Sequence, residues 1–100
     1  MISIVLNHKG EIIHATDSIK TILGYDSREL IGHSVFGLLP PGRQQNMKLR
    51  FEWFISRENL TAMIVVPVKH KSGSVLRLAL TIRNLSRHVE ITFQNPLSCA

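Results

Sequence analysis

The chain is 100 residues long, 44% hydrophobic and carries a formal net charge of +5. This composition excludes a disordered polar chain and predicts one folded domain, and no apolar run approaches the ~20 residues that a membrane span needs. The apolar start Met1–Leu6 is too short for a signal peptide and lacks its basic flank. The single cysteine, Cys99, excludes an internal disulfide framework and suits a reducing compartment. We therefore expect a soluble cytoplasmic domain over residues 1–95, followed by a tail without pattern at 96–100.

Positive charge is concentrated in the second half of the chain. Residues 43–87 contain nine basic side chains against only Glu52 and Glu58, whereas the first 42 residues are close to neutral. A basic half can indicate binding to nucleic acid or to an acidic partner. These basic residues are scattered singly and aromatic residues that could stack on bases are few. Solvated edges of strands and helices are therefore the favoured interpretation, and nucleic-acid binding is the weaker one.

The first elements predicted are two short strands. Ile2–Leu6 is rich in β-branched residues and ends at Asn7–Gly10, a cluster typical of a turn. Glu11–Ala15 then resumes an extended pattern. Two strands joined across a glycine turn predict a hairpin.

Short helices follow the hairpin. Apolar residues three and four apart predict a first helix that begins near Asp17 and ends at Gly24. Asp26 with Glu29 three residues later indicates a capping box for a second helix. The segment Ser34–Leu39 is apolar and short, and prolines end it. Asp17, Asp26 and two serines, Ser27 and Ser34, are all interpreted as helix caps.

A longer helix is predicted from Arg43 to about Arg57, where there is no proline or glycine. One face of this helix is apolar and suits a core. Leu49 and Trp53 lie on nearly the opposite side. A helix that is apolar on two sides is either covered twice or has a partner.

Three strands complete the chain, at residues 60–70, 75–85 and 89–93. The second of them alternates apolar with polar residues, as a half-buried strand does. Pro67 cannot donate a ladder hydrogen bond, so residues 60–70 should be an edge strand. The order predicts an α+β fold, with helices on one face of a five-stranded antiparallel sheet in the order 2-1-5-4-3.

Four segments carry a resemblance to a known family. They are Gly10–Thr16, Ile22–Gly32 with its Gly-Tyr corner, Ser34–Pro40 and the Lys71–Ser74 turn. Together they resemble the PAS (Per-Arnt-Sim) domain, over about residues 2 to 95. The chain departs from the family pattern at Thr16, where asparagine is common, and at 41–42, where an acidic pair usually follows the proline.

The resemblance implies a cavity between the sheet and the helices, which holds haem, flavin or a small molecule in some members. Haem needs an axial ligand. Residues 43–57 contain no histidine, and His33 is only the nearest candidate. Light-sensing flavin chemistry needs a cysteine near residues 32–36, and none is there. We predict no cofactor and no metal site. Binding of a small apolar ligand in the cavity stays an open alternative. The residues predicted to line the cavity are Val35, Phe36, Leu39, Met47, Phe51, Phe54, Leu78, Leu80 and Ile91.

No nucleophile and base can be paired, and there is no glycine-rich phosphate loop; we therefore predict no enzymatic activity.

Residues 60–70 are apolar on both faces and so must be covered on both. The first hypothesis is accordingly a PAS regulatory module that works by association with another PAS domain or a flanking helix, most simply as a homodimer, and acts on an effector outside this segment. The predicted interface is Met63, Val65, Pro67, Leu49 and Trp53. A haem, flavin or small-molecule sensor pocket is the alternative, nucleic-acid binding the second alternative, and a nuclear location would fit a transcription regulator.

Overall fold

Five antiparallel strands form one sheet in the computed structural model, which describes residues 2–94. The strands are β1 (Ile2–Leu6), β2 (Ile12–Ala15), β3 (Thr61–Lys69), β4 (Val75–Asn84) and β5 (Val89–Phe93). Their order is β2-β1-β5-β4-β3, which confirms the predicted topology. The predicted tail and Cys99 lie outside the described residues.

The helices lie between β2 and β3 in the chain. They are α1 (Ile19–Leu23), α2 (Ser27–Leu30), a 3₁₀ helix (Val35–Leu38) and α3 (Pro41–Ile55). The long helix begins two residues before the predicted start, because proline is well suited to a first helical turn that needs no N–H donor. Within residues 2–94, no helix is long and apolar enough to cross a membrane.

Two of the four predicted caps, Asp26 and Ser34, are N-caps of helices. The Glu29 carboxylate accepts a hydrogen bond from the Asp26 backbone N–H at 2.8 Å, which completes the capping box, and Ser27 begins α2 behind it. Ser34 accepts a hydrogen bond from the Phe36 N–H at 3.2 Å. The predictions for Asp17 and Ser27 were wrong. Ser18 is the N-cap of α1, and the Ser27 hydroxyl donates a hydrogen bond to the Asp17 carboxylate at 3.0 Å, which ties α1 to α2.

The first and last strands pair in the centre of the sheet. Ile2 lies opposite Phe93, and Leu6 lies opposite Val89. The edges are β2 and β3, and Pro67 lies in β3, where only one side of the strand is paired. This confirms the edge position that proline predicted.

The core fills the space between the inner face of the sheet and the helices. Its central side chains, including Ile4, Leu6, Ile19 and Val89, are fully buried. Asn84 is the exception, a polar residue that is only 1% exposed. Its side-chain amide donates toward the carbonyl oxygens of Phe54, Ile55 and Arg57 at 3.3, 3.2 and 2.6 Å. The last turn of α3 is thereby fixed to the end of β4.

Gly10 allows the 3₁₀ helix to pack against the β1–β2 turn. Its φ of +86° is a backbone conformation that favours glycine, and a Cβ placed there would lie 2.5 Å from the Phe36 ring. The ring therefore lies directly on the backbone of the turn and reaches the helical side of the core.

Candidate functional site

Helix α3 covers the inner face of the sheet with one stripe of side chains. Met47, Phe51 and Phe54 are spaced four and three residues apart, so they share a helix face. Phe54 is buried in the core, and Met47 and Phe51 pack against it as half-buried residues. The Phe51 ring meets the Phe36 ring edge to face, with centroids 5.4 Å apart. These contacts pack α3 against the core and against the 3₁₀ helix.

A cavity of about 200 Å³ remains between α3, the 3₁₀ helix and the sheet. Aliphatic and aromatic side chains make up most of its wall. The lining residues are Leu6, Val35, Phe36, Leu39, Arg43, Met47, Arg50, Phe51, Phe54, Ala62, Ile64, Val65, Val66, Leu80, Ile82 and Ile91. The arrangement offers an apolar site with two cationic groups in its wall.

Eight of the nine residues predicted to line a cavity are brought together there. Leu78 is not among them; it is buried elsewhere in the core. The sequence interpretation missed the inner-facing residues of β3, although the alternation of Ala62, Ile64 and Val66 was a usable signal. It also missed Arg43 and Arg50, which fall on the Met47 face of the helix at intervals of four and three residues.

The two arginines are the polar groups of the cavity wall. Both are exposed, and α3 presents them beside Met47. In the described part of the chain, ion pairs join Lys71 to Glu29 and Arg83 to Glu90, and neither Arg43 nor Arg50 has a side-chain hydrogen-bond partner. Their guanidinium groups are therefore available to an external anion.

The cavity wall lacks the side chains that haem ligation and light-sensing flavin chemistry use. Its lining contains no histidine and no cysteine, and His33, the nearest candidate, is exposed outside it. A volume of about 200 Å³ is below the roughly 300–1,000 Å³ of pockets for drug-sized ligands. Among residues 2–94, no cluster of three or more histidine, cysteine or acidic side chains could hold a metal ion.

The outer face of the sheet exposes an apolar strip along β3. Met63 is 72% exposed and Val65 is 59% exposed, while Pro67 is half-buried on the same face. Val65 lies opposite Ala79 on β4, whose small side chain leaves Val65 uncovered. The strand is therefore apolar toward the core and toward solvent.

Leu49 and Trp53 belong to a different surface. They are 58% and 57% exposed on the solvent side of α3, which packs on the inner face of the sheet. The Arg57 guanidinium lies 4.4 Å from the centroid of the Trp53 ring, in cation–π geometry. The predicted interface residues thus lie on two opposite sides of the sheet.

Basic residues are also divided between these two sides. Arg43, Lys48 and Arg50 belong to α3, whereas Arg77 and Arg83 lie in outward-facing positions of β4. These residues do not form one continuous basic groove.

A polar cleft of about 350 Å³ lies at the other end of the helical layer. Its central feature is the ion pair between the Lys71 ammonium and the Glu29 carboxylate, at 2.8 Å. The hydrogen bond from Lys71 lowers the pKa of Glu29 below its ordinary 4.5, and the same bond raises the pKa of Lys71 above 10.5. The lining residues are Lys20, Gly24, Asp26, Arg28, Glu29 and Lys71. We interpret this cleft as a structural link between α2 and the β3–β4 turn.

Solved structures of PAS domains share this fold. The PAS domain of an HTR-like protein from Haloarcula marismortui has a TM-score of 0.81 at 14% identity, over 93% of this chain and 83% of its own. The PAS-B domain of Drosophila melanogaster Cycle, with bound ethylene glycol, has a TM-score of 0.78 at 13% identity, over 94% and 98%. The PAS domain of the Cronobacter turicensis quorum-sensing receptor RpfR, in complex with BDSF, has a TM-score of 0.75 at 16% identity, over 96% and 93%.

Comparison with curated protein sequences finds no significant match. The family model described as a PAS domain matches residues 1–87, which include the sheet as far as β4 and all the helices. That match covers most of the chain and agrees with the strand order and with the position of the helices. The chain therefore belongs to the PAS domain family.

Proposed function

We propose that the chain is a PAS regulatory module that associates with a partner PAS domain through the outer face of its sheet and passes a signal to an effector outside this segment. PAS domains are regulatory sensor modules of signalling proteins and are generally not catalytic. The observation that carries the finer proposal is the exposed apolar strip of β3.

Two exposed apolar side chains on a long edge strand favour association. Burying a large apolar side chain fully contributes about 1.5–3 kcal/mol. Met63 and Val65 remain exposed in the isolated domain, so a partner placed over them would gain most of that contribution. A second copy presents the same strip, which supports a symmetric homodimer.

Charged residues surround the strip and limit how a partner can dock. Lys69 and Arg77 lie at one end of the outer face, and Arg83 lies at the other, paired with Glu90 at 3.5 Å. Like charges facing each other oppose association. A second copy would therefore have to cross the strip at an angle that keeps the basic ends apart.

The test is the association constant of Met63→Asp, measured by sedimentation equilibrium. Met63 is the better target because Val65 also borders the cavity, whereas Met63 does not. We expect the variant to associate about tenfold or more weakly than the wild type, while its far-UV circular dichroism spectrum shows the wild-type fold. Ile13→Asp is the matched control, since Ile13 is 50% exposed on the opposite edge strand and should change nothing.

A wild-type protein that stays monomeric at the highest concentration reached would contradict homodimerisation. Equal dissociation constants for the wild type and Met63→Asp would show that a different surface is used.

The second candidate function is that of a small-molecule sensor. The apolar cavity favours it, and two of the similar structures were solved with a small molecule, ethylene glycol or BDSF. Native mass spectrometry of the purified protein tests this candidate. A mass above that of the apoprotein supports a resident ligand, and the apoprotein mass alone opposes one.

A further inference from the structure

The wall of the cavity under α3 differs in charge from its interior. Leu6, Leu80 and Ile91 supply an apolar interior from the sheet, whereas Arg43 and Arg50 border the cavity from the exposed surface of α3. No aspartate or glutamate lines the cavity. A ligand that matches both parts has an apolar body and a negatively charged end.

The two arginines are placed to act on the same ligand. They are seven residues apart, which corresponds to about 10 Å along a helix axis. Met47 lies between them on the same face and borders the cavity with them. A guanidinium group offers a planar pair of donors that matches a carboxylate. An anion held over Met47 lies between the two side chains.

The surroundings of the arginines reinforce the positive charge. The Lys48 ammonium lies 6.0 Å from the centroid of the Phe36 ring, which itself lines the cavity. Glu52 is the only acidic residue of α3. This part of the helix therefore attracts anions.

We propose that the cavity binds a short aliphatic carboxylate, with its tail in the apolar interior and its carboxylate between Arg43 and Arg50. The volume of about 200 Å³ corresponds to roughly seven water volumes of about 30 Å³ each, which suits a tail of roughly six to eight carbons. The proposal rests on the second candidate function and is independent of association through the outer face.

A purely structural role for the arginines makes a different prediction. Their aliphatic stems could cover the apolar edge of α3 while the charged groups stay in water. In that case a charged and a neutral ligand with the same tail would bind equally well. The charge dependence of binding therefore separates the two roles.

The experiment measures binding of octanoate and of 1-octanol by calorimetry and by amide shifts in NMR spectra. We expect the wild type to bind octanoate about tenfold or more tightly than octanol. Arg43→Gln with Arg50→Gln should reduce the octanoate affinity to that of octanol and leave octanol unaffected. Raised salt should weaken octanoate binding alone.

Two further variants locate the site. Ala62→Phe places a large side chain into the cavity and should abolish binding of both compounds, while the methyl signals of Met47 and Ile64 in the wild type should shift on binding. Met63→Asp, which tests association, should bind octanoate like the wild type.

The proposal is overturned if octanoate fails to bind, if octanol binds equally tightly, or if the double glutamine variant keeps the wild-type affinity. Shifts confined to residues away from the cavity would also overturn it. None of these results bears on the dissociation constant of Met63→Asp, so the two proposals fail independently.

Discussion

Asn84 connects three parts of the molecule through one side chain. Its amide nitrogen donates to the carbonyl oxygens at the end of α3, and its amide oxygen lies 3.2 Å from Nε2 of His8 in the β1–β2 turn. The last carbonyl groups of a helix have no partner within the helix. Asn84 supplies that partner from the end of β4, so it sets where α3 stops relative to the sheet.

Replacing Asn84 should lower the free energy of unfolding, because its side chain is buried and contacts several backbone carbonyl groups. In Asn84→Asp the size is kept, but a carboxylate without donors faces three carbonyl oxygens in a buried site. We expect the free energy of unfolding, measured by urea denaturation, to fall by about 2–4 kcal/mol.

Gln94→Ala is the matched control, because the Gln94 amide makes an exposed hydrogen bond to Thr81 at 3.0 Å. Its loss should change the free energy of unfolding by about 0.5 kcal/mol or less. Similar values for the two variants would show that the Asn84 network contributes little.

At the scale of the elements, α2 and the β3–β4 turn are held together by the Glu29–Lys71 ion pair. Both side chains are about half exposed, so solvent screens the attraction and its contribution is modest. Glu29 also accepts the hydrogen bond from the Asp26 backbone N–H. The same carboxylate therefore both starts the helix and docks it.

The contribution of this pair should depend on pH at both ends of the range. Because the pKa of Glu29 is lowered in the folded state, its contribution is present above the ordinary 4.5 and is lost as the pH falls through the folded value. Because the pKa of Lys71 is raised, its contribution is present below 10.5 and is lost as the pH rises through the folded value. The pair should thus act fully between about pH 5 and pH 10.

A double-mutant cycle of Glu29→Gln and Lys71→Gln isolates the pair from the capping role of Glu29. The coupling, measured from melting temperatures, should be largest near pH 7, fall as the pH drops through the lowered pKa of Glu29 and shrink in 1 M salt. A coupling that stays constant from pH 7 down to the pH at which Glu29 is protonated in the folded state would show that charge does not link these elements.

The elements were predictable from the sequence because their signals are local. Alternation, glycine turns and the position of Pro67 are properties of a few neighbouring residues, and they determined the strands and their order. The residues of the cavity wall were harder to predict from the sequence. Arg43 and Arg50 have the composition of a solvated helix face, and only the packing of α3 places them beside Met47. Leu78 and Leu80 both occupy apolar positions of the same alternating strand, yet only Leu80 lines the cavity.

At the scale of the whole molecule, three sites lie at different depths: the outer face of the sheet, the cavity between the sheet and α3, and the solvent side of α3. The outer face of the sheet carries the β3 strip, α3 separates the cavity from solvent, and Leu49 and Trp53 face away from both. The proposed association and the proposed ligand binding would therefore use opposite sides of the same sheet. Val65, which borders the cavity and is exposed on the strip, is the residue common to the two.

The register of β1 against β5 has a mechanical consequence. Ser3 pairs with Thr92, so Ser3 and Gln94 lie at the same end of the β1–β5 pair. A force that pulls these two residues apart would break the hydrogen bonds of the pair one after another from that end. A force applied through Lys9 and Gln94 would instead load the same pair along its length. In single-molecule stretching, the first geometry should give way at clearly lower force than the second, and equal rupture forces would contradict this. Tension transmitted through Ser3 and Gln94 would therefore separate the central β1–β5 pair before the pairs at the edges of the sheet.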